Sequence, residues 1–325
     1  MRDGRGKTDI RLRQRGAAVE LRNRAGMGYE CGAVHSNPSK PSFLRHFAVY
    51  GVLWRHYLDW AVVQVPFYLQ PVLIGFCTSF FFFFAAPARR AILTNLRFML
   101  PRSTRLGDCL RTWRTIWNFS WTISEGAAYR LRRPAFTYEI EGAEYLEAIA
   151  AAPGAIVLTA HMGSPDLGAA LFAQKFSREI RMVRAPEPDS RSAHHLTRSV
   201  EQAGAGAVKI DYNVGGSLLS FDLLGALRAG EIVSIQGDRV IPGVAEAEGK
   251  LFGHAVRLPA GPFTLALVAQ VPIYPLFIAR AGYRRYRVIV RPPLIVTRTT
   301  RSRDEALRVA VEQWCEVLEG VVAKN

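Results

Sequence analysis

The sequence predicts an α/β fold, a mostly parallel or mixed central sheet flanked by helices, with an N-terminal membrane helix ahead of it. The sheet follows from short apolar runs of strand length that recur along the second half of the chain. Helix-length segments separate them, the order that builds parallel pairs through crossover helices. The membrane helix follows from "WAVVQVPFYLQPVLIGFCTSFFFFFAAPA", Trp60 to Ala88, which contains no charged residue. It exceeds the roughly 20 residues needed to cross a bilayer. A chain of 325 residues also has room for a sizeable core.

Residues 1–43 are rich in Arg, Gly, Ser and Pro and lack apolar periodicity. They read as a disordered basic tail or as sequence upstream of the true start, with Met27 a later candidate. No cleavage-site pattern follows a short apolar core, which argues against a secretory signal peptide. Residues 44–88 form the membrane-associated segment, in which Pro66 and Pro71 should kink the helix while Trp60 and Tyr68 suit the interface. Arginines flank this run on both sides, so charge alone does not orient it. A kinked segment dipping into one leaflet satisfies both flanks, and so does an outward N-terminus with the downstream side in the cytoplasm.

Residues 89–325 read as the α/β domain. Residues 103–131 predict an amphipathic helix, with Leu106, Leu110, Trp113, Trp117 and Trp121 at helical spacing as a core or membrane-facing stripe. Strands are predicted at "FTYEIEG", "GAIVLTA", "EIRMVRA", "EIVSIQG", "VPIYPLFIA" and "YRVIVRP". Helices are predicted over 143–151, 192–204, 216–229, 260–270 and 303–322.

The net charge of +15, carried mainly by Arg, suits nucleic acid, an anionic membrane surface, or an acidic or phosphorylated partner. A nucleic-acid-binding protein leaves the Trp60–Ala88 run unexplained, and the sequence has no helix-turn-helix, zinc or aromatic-basic RNA motif. No nucleic-acid partner is expected. Cys31, Cys77, Cys109 and Cys315 are scattered without a CxxC, the pattern of free thiols in a reducing compartment. No metal or cofactor is expected. His194–His195 has no third ligand at suitable spacing and reads as solvated surface, and "GAGAVKI" lacks the Lys-Ser/Thr of a phosphate loop and reads as a turn into a strand.

The chemistry concentrates at "LTAHMGSPDLG", Leu158 to Gly168. His161 follows the carboxyl end of an apolar strand, where open α/β sheets place ligands. Ser164-Pro165 reads as N-cap and first helical residue, which puts Asp166 in the first helical turn. An imidazole facing a carboxylate can act as a general base, the carboxylate fixing the tautomer. Free N–H groups at the helix start can support a developing oxyanion. The plainer reading is that Asp166 decorates a helix start and His161 caps a strand.

Further motifs decide between them. "FTYEIEGAEYLEAIAAAPGAIVLTAHMGSPDLGAALFA" resembles the first motif block of the bacterial lipid A biosynthesis acyltransferases, a branch of the lysophospholipid acyltransferase superfamily. Upstream, "TNLRFMLP" resembles its lead-in. Downstream, "RMVRAP" resembles the second block, and "IQGDRVIPG…LFGHAVRLPAGPFTLALVAQVPIYPLFIAR" the third and fourth. The resemblance covers about residues 45–320, in order and at family-like spacing.

It implies a glycerolphosphate acyltransferase-like fold and transfer of a fatty acyl chain from an acyl thioester, on acyl carrier protein or coenzyme A. The acceptor would be a hydroxyl or amine of a lipid or glycolipid, at the bacterial inner membrane, with the catalytic domain facing the cytoplasm. His161 would be the general base, oriented by Asp166, while Gly163, Arg184, Asp238, Arg239, Phe252 and Gly253 would contact substrate. Arg184 and Arg239 are the phosphate-binding candidates, Asp238 holds Arg239 or a neighbouring loop, and Phe252-Gly253 shapes a turn. An inactive scaffold on the same fold is the alternative, and the His–Asp pair argues against it. Ser164-Pro165-Asp166 stands where the lipid A enzymes usually have Asn-Trp-Glu, and "APEPDSRSAHH" replaces an expected Asn-Pro. The Gly-Asp-Arg and Leu-Pro-Ala-Gly-Pro runs look more like members associated with glycosyltransferases, which points to an acceptor other than lipid A.

Overall fold

The computed structural model describes residues 52–324 except 102, 165–166, 169–171, 173–177, 186–196, 198–206, 214–217, 242 and 298–301. The basic tail, the helix expected over 192–204, His194–His195 and Asp166 therefore lie outside the described residues.

Strands β1 (Thr137–Glu141), β2 (Ala155–Thr159), β3 (Ile180–Arg184), β4 (Val208–Tyr212), β5 (Ile232–Gln236), β8 (Ile273–Gly282) and β9 (Arg285–Val290) form one seven-stranded sheet, in the order β1-β9-β8-β2-β5-β3-β4. Only β8–β9 is antiparallel. The mixed α/β sheet expected from the sequence is the one observed. At its centre every residue of β2 is buried, as a parallel strand covered on both faces must be.

The period of two then sorts side chains between the layers. Ile156 and Leu158 face Leu223 and Leu227 of α6 (Leu218–Arg228), Phe263 of α7 (Gly261–Ala269) and Trp314 of α8 (Arg303–Val322). Ala155 and Val157 face Leu146 and Ile149 of α5 (Ala143–Ala151). Arg178 ties the lower edge together by donating to the carbonyls of Gly230 at 3.0 Å and Ala152 at 2.8 Å. A hairpin of β6 (Glu246–Leu251) and β7 (His254–Pro259) was not expected from the sequence. Its alternation is mostly polar, and its signal was the turn: Phe252 (φ 48°) and Gly253 (φ 80°) are the two positive-φ residues of a tight two-residue loop.

The N-terminal membrane helix expected from the sequence does not form as one element. The charge-free run is divided among α1 (Val52–Gln64), α2 (Gln70–Phe84) and α3 (Ala86–Met99). Pro66 falls in the turn that ends α1, whereas Pro71 sits in the first turn of α2, where its missing N–H costs nothing. Instead of kinking one helix, the two prolines separate two. Helices α2 and α3 meet at 89°, and among the described residues no single helix is long and apolar enough to cross a membrane.

All three helices pack on α4 (Arg105–Arg132), whose N-cap Thr104 accepts the Gly107 N–H at 3.1 Å. Asp59 pairs with Arg130, the Trp113 indole donates to Ser79 Oγ at 3.2 Å, and Arg97 reaches Asp108 at 3.5 Å. Of the predicted α4 stripe, Trp121 is buried while Leu106 and Leu110 remain exposed.

One buried carboxylate joins this helical layer to the sheet. Glu125 of α4 accepts from Arg280 Nε at 3.1 Å, the Tyr286 hydroxyl at 2.6 Å and the Arg284 N–H at 2.7 Å. Arg280 also lies over the Trp121 ring, 5.1 Å from its centre. Burial, followed by the Glu125 charge, pushes the Tyr286 phenol far above its ordinary pKa, so it stays a donor. Glu125→Gln leaves Arg280 buried without its counter-charge. Thermal unfolding of the detergent-solubilised variant should show a loss of about 3 kcal/mol, the usual cost of breaking a buried pair. An unchanged melting temperature would mean that the layers are held elsewhere.

Candidate active site

Strands β2 and β5 pair in register, Thr159 opposite Gln236, and the Gly237 N–H continues the ladder to the Thr159 carbonyl at 2.8 Å. Two residues beyond each strand end stand His161 and Asp238, which therefore meet. Asp238 Oδ1 lies 2.8 Å from His161 Nδ1, and its other oxygen accepts the His161 backbone N–H at 3.0 Å. A carboxylate only accepts, so Nδ1 carries a hydrogen, and in the neutral ring that tautomer leaves the lone pair on Nε2. The His161 side chain is 41% exposed against 22% for Asp238, so the imidazole is open to solvent while its partner is set deeper. Chemically, such an arrangement can hold an imidazole as a general base.

Tight backbone packing supports it. Gly163 has φ 60°, and a Cβ there would lie 1.8 Å from the Ile278 carbonyl oxygen. That gives Gly163 a steric reason for its identity. Ser164 Oγ accepts the Leu167 N–H at 3.4 Å, bearing out its reading as an N-cap. On the β5 side, a Cβ at Gly237 would meet Leu158 Cδ1 at 2.6 Å. The Gly237 carbonyl accepts from the buried Trp314 indole at 3.0 Å, and that ring stacks on Phe277 with centres 5.5 Å apart. The peptide leading into Asp238 is thus held by β2 on one side and α8 on the other.

Of the other residues proposed from the sequence, Arg184 ends β3, whose Val183 pairs with Ile235 of β5. It belongs to the same carboxyl edge as His161. Arg239 is exposed beside Asp238. Phe252 and Gly253 sit at the β6–β7 turn, where Glu319 of α8 accepts the Phe252 N–H and Phe98 packs on His254.

Asp238 was placed at the site by the sequence, but as a partner of Arg239 or a loop. The sign of its contact with His161 was the equal offset of both residues from two strands that end alike, readable only once β2 and β5 are known to be neighbours. Trp314 carried no such sign, because a buried Trp in an amphipathic helix reads as core.

With this geometry in hand, the comparisons with known proteins narrow the chemistry. A sequence model of the family described as bacterial lipid A biosynthesis acyltransferase matches residues 39–323. No curated protein matches the chain.

Replacing Asp238 by Asn substitutes a donor for one of two oxygens that both accept from His161. It should lower kcat for acyl transfer roughly 100- to 10,000-fold, the range seen when a catalytic imidazole loses its base or its tautomer. The variant should still fold, as near-normal thermal unfolding would verify. Trp314→Phe keeps the stack on Phe277 and deletes a single hydrogen bond to the peptide before Asp238. Steady-state kinetics should show kcat falling by about tenfold, equivalent to about 1.4 kcal/mol, with KM little changed. A rise in KM at constant kcat would contradict that positioning role.

Proposed function

The chain belongs to the bacterial lipid A biosynthesis acyltransferase family and is an acyltransferase, and from that premise we propose the reaction that its strand-end histidine performs. The acceptor is a hydroxyl or amine of a lipid or glycolipid, and the donor is an acyl thioester on acyl carrier protein or coenzyme A. The acceptor gives its proton to His161 Nε2 as its heteroatom attacks the thioester carbonyl carbon. The tetrahedral oxyanion collapses, the carbon–sulfur bond breaks, and the leaving thiolate takes the proton back from His161. Oxygen- or nitrogen-bound acyl product and free thiol balance the step. No covalent enzyme intermediate is needed.

The observation that carries this reading is the 2.8 Å contact between His161 Nδ1 and Asp238, on an imidazole whose side chain is 41% exposed. The His-x4-Asp spacing offers Asp166 as the orienting carboxylate, and the contact at Nδ1 offers Asp238. One Nδ1–H serves one carboxylate at a time, so comparing Asp166→Asn with Asp238→Asn separates the two. Arg184 and Arg239 are proposed to meet phosphate on the donor's phosphopantetheine arm or the acceptor head group. The proposed location is the inner membrane of a bacterial cell, with the sheet on the cytoplasmic side, where acyl thioesters are made.

The test is acyl transfer by the purified full chain, supplied separately with acyl carrier protein and coenzyme A thioesters and a bacterial lipid extract, with products identified by mass spectrometry. His161→Ala should cost roughly 100- to 10,000-fold in turnover. Normal turnover by that variant would remove His161 from the mechanism. Arg239→Ala should weaken donor use and flatten its salt dependence, because a basic rim speeds encounter with an acidic donor mainly at low salt.

A further inference from the structure

We propose that α2 is a shallow, one-leaflet wedge that seats the enzyme on an anionic phospholipid bilayer without crossing it. The inference deepens the membrane part of the proposed function and rests on it. Its basis is a helix that buries hydroxyls beside Ile74 and leaves most of its phenylalanine surface exposed. Toward α4, α2 presents Thr78, fully buried and donating to Ser120 Oγ at 3.3 Å, and Ser79, which accepts from Trp113. Away from α4 it presents Val72, Phe76, Phe83 and Phe84, 68–74% exposed. In water a surface helix buries its apolar stripe and shows its polar one. The reverse arrangement suits a hydrocarbon neighbour, and a contiguous apolar face of this size is not left bare on a soluble monomer.

The geometry argues for a wedge over a span. The 15 residues of α2 reach about 22 Å at 1.5 Å per residue, short of the roughly 30 Å hydrocarbon core. At its far end the chain turns by 89° into α3, an amphipathic helix carrying Arg89, Arg90 and Arg97 and no acid. The Arg89 guanidinium folds back to donate to the Phe82 and Phe83 carbonyls. It thereby satisfies helix-end acceptors that apolar surroundings would leave unpaired.

Both α1 and α3 pack on the same α4 as α2. A crossing α2 would have to leave its polar contacts with α4 and carry them into lipid. Arginines at the bend and a phenylalanine face beyond them match an anionic head-group layer over hydrocarbon. The wedge also adjoins the site: α4 passes Ser164, three residues after His161, where a Cβ on Gly126 would sit 3.9 Å from the serine oxygen.

The test mixes the full chain, tagged at both termini, with sealed vesicles of phosphatidylcholine, with or without phosphatidylglycerol. Flotation should be retained at high salt and be stronger with phosphatidylglycerol, roughly fivefold per arginine engaged. Protease added outside should remove both tags. The triple variant Phe76→Gln, Phe80→Gln, Phe83→Gln should lose flotation at least tenfold. It should still acylate an acceptor dispersed in detergent while losing transfer to the same acceptor in vesicles. Protection of either tag would mean a span and overturn the proposal, as would wild-type flotation by the triple variant. A stable dimer that hides α2 and does not float would overturn it equally. Transfer without vesicle binding refutes the wedge and leaves the acyltransferase reading standing, whereas binding without any transfer does the opposite.

Discussion

The geometry of the candidate site depends on a registration constraint between two parallel strands. Because Thr159 and Gln236 lie opposite each other, the chain leaves both strands at one level, and the next residues but one face each other as imidazole and carboxylate. A slip of one residue would displace Asp238 by about 3.3 Å along the strand and reverse its face, and Nδ1 would lose its partner. The constraint is enforced by packing more than by hydrogen bonds. Leu158 fills the space where any side chain at Gly237 would go, and Leu158 is itself locked in the core shared with α6, α7 and α8. Strand register thereby becomes a choice of tautomer on a histidine.

Two kinds of packing coexist in the molecule. Around the sheet, apolar side chains meet apolar side chains on both faces. Between α2 and α4 the seam is hydroxylic, with Thr78, Ser79 and Ser120 inside and phenylalanines outside. Glu125 joins the two regimes through Arg280, Tyr286 and the Arg284 backbone. That junction places the helical layer beside the strand ends that carry the candidate site.

The sheet was legible in the sequence because its strands are continuous apolar runs bounded by turns and separated by helices. The edge strand β4 was anticipated only as a strand after a turn. Hairpin β6–β7 escaped because "EAEGKL" offers little apolar alternation and gains its burial from α8. The charge-free run was legible as apolar helix but misleading about shape. Hydropathy sums along the chain and does not register that Pro66 ends one helix, that Pro71 and Pro87 begin two more, or that the polar residues between the phenylalanines all point the same way. His161 and the loop carrying Asp238 were legible as motifs, while the contact between them awaited a strand order that no local pattern encodes.

The Glu125–Arg280 pair also sets an order of assembly. Its members stand 155 residues apart, and at roughly 5–20 residues per second of synthesis the carboxylate waits on the order of 10–30 seconds for its guanidinium. During that interval α1 to α4 have left the ribosome while the antiparallel pair β8–β9 that will receive Glu125 has not. β1 likewise waits for β9, its only neighbour in the sheet among the described residues. The helical layer is thus made before the sheet exists, and the last strands close the domain onto helices already formed. A layer made in this order is complete before the carboxylate that joins it to the sheet has a partner.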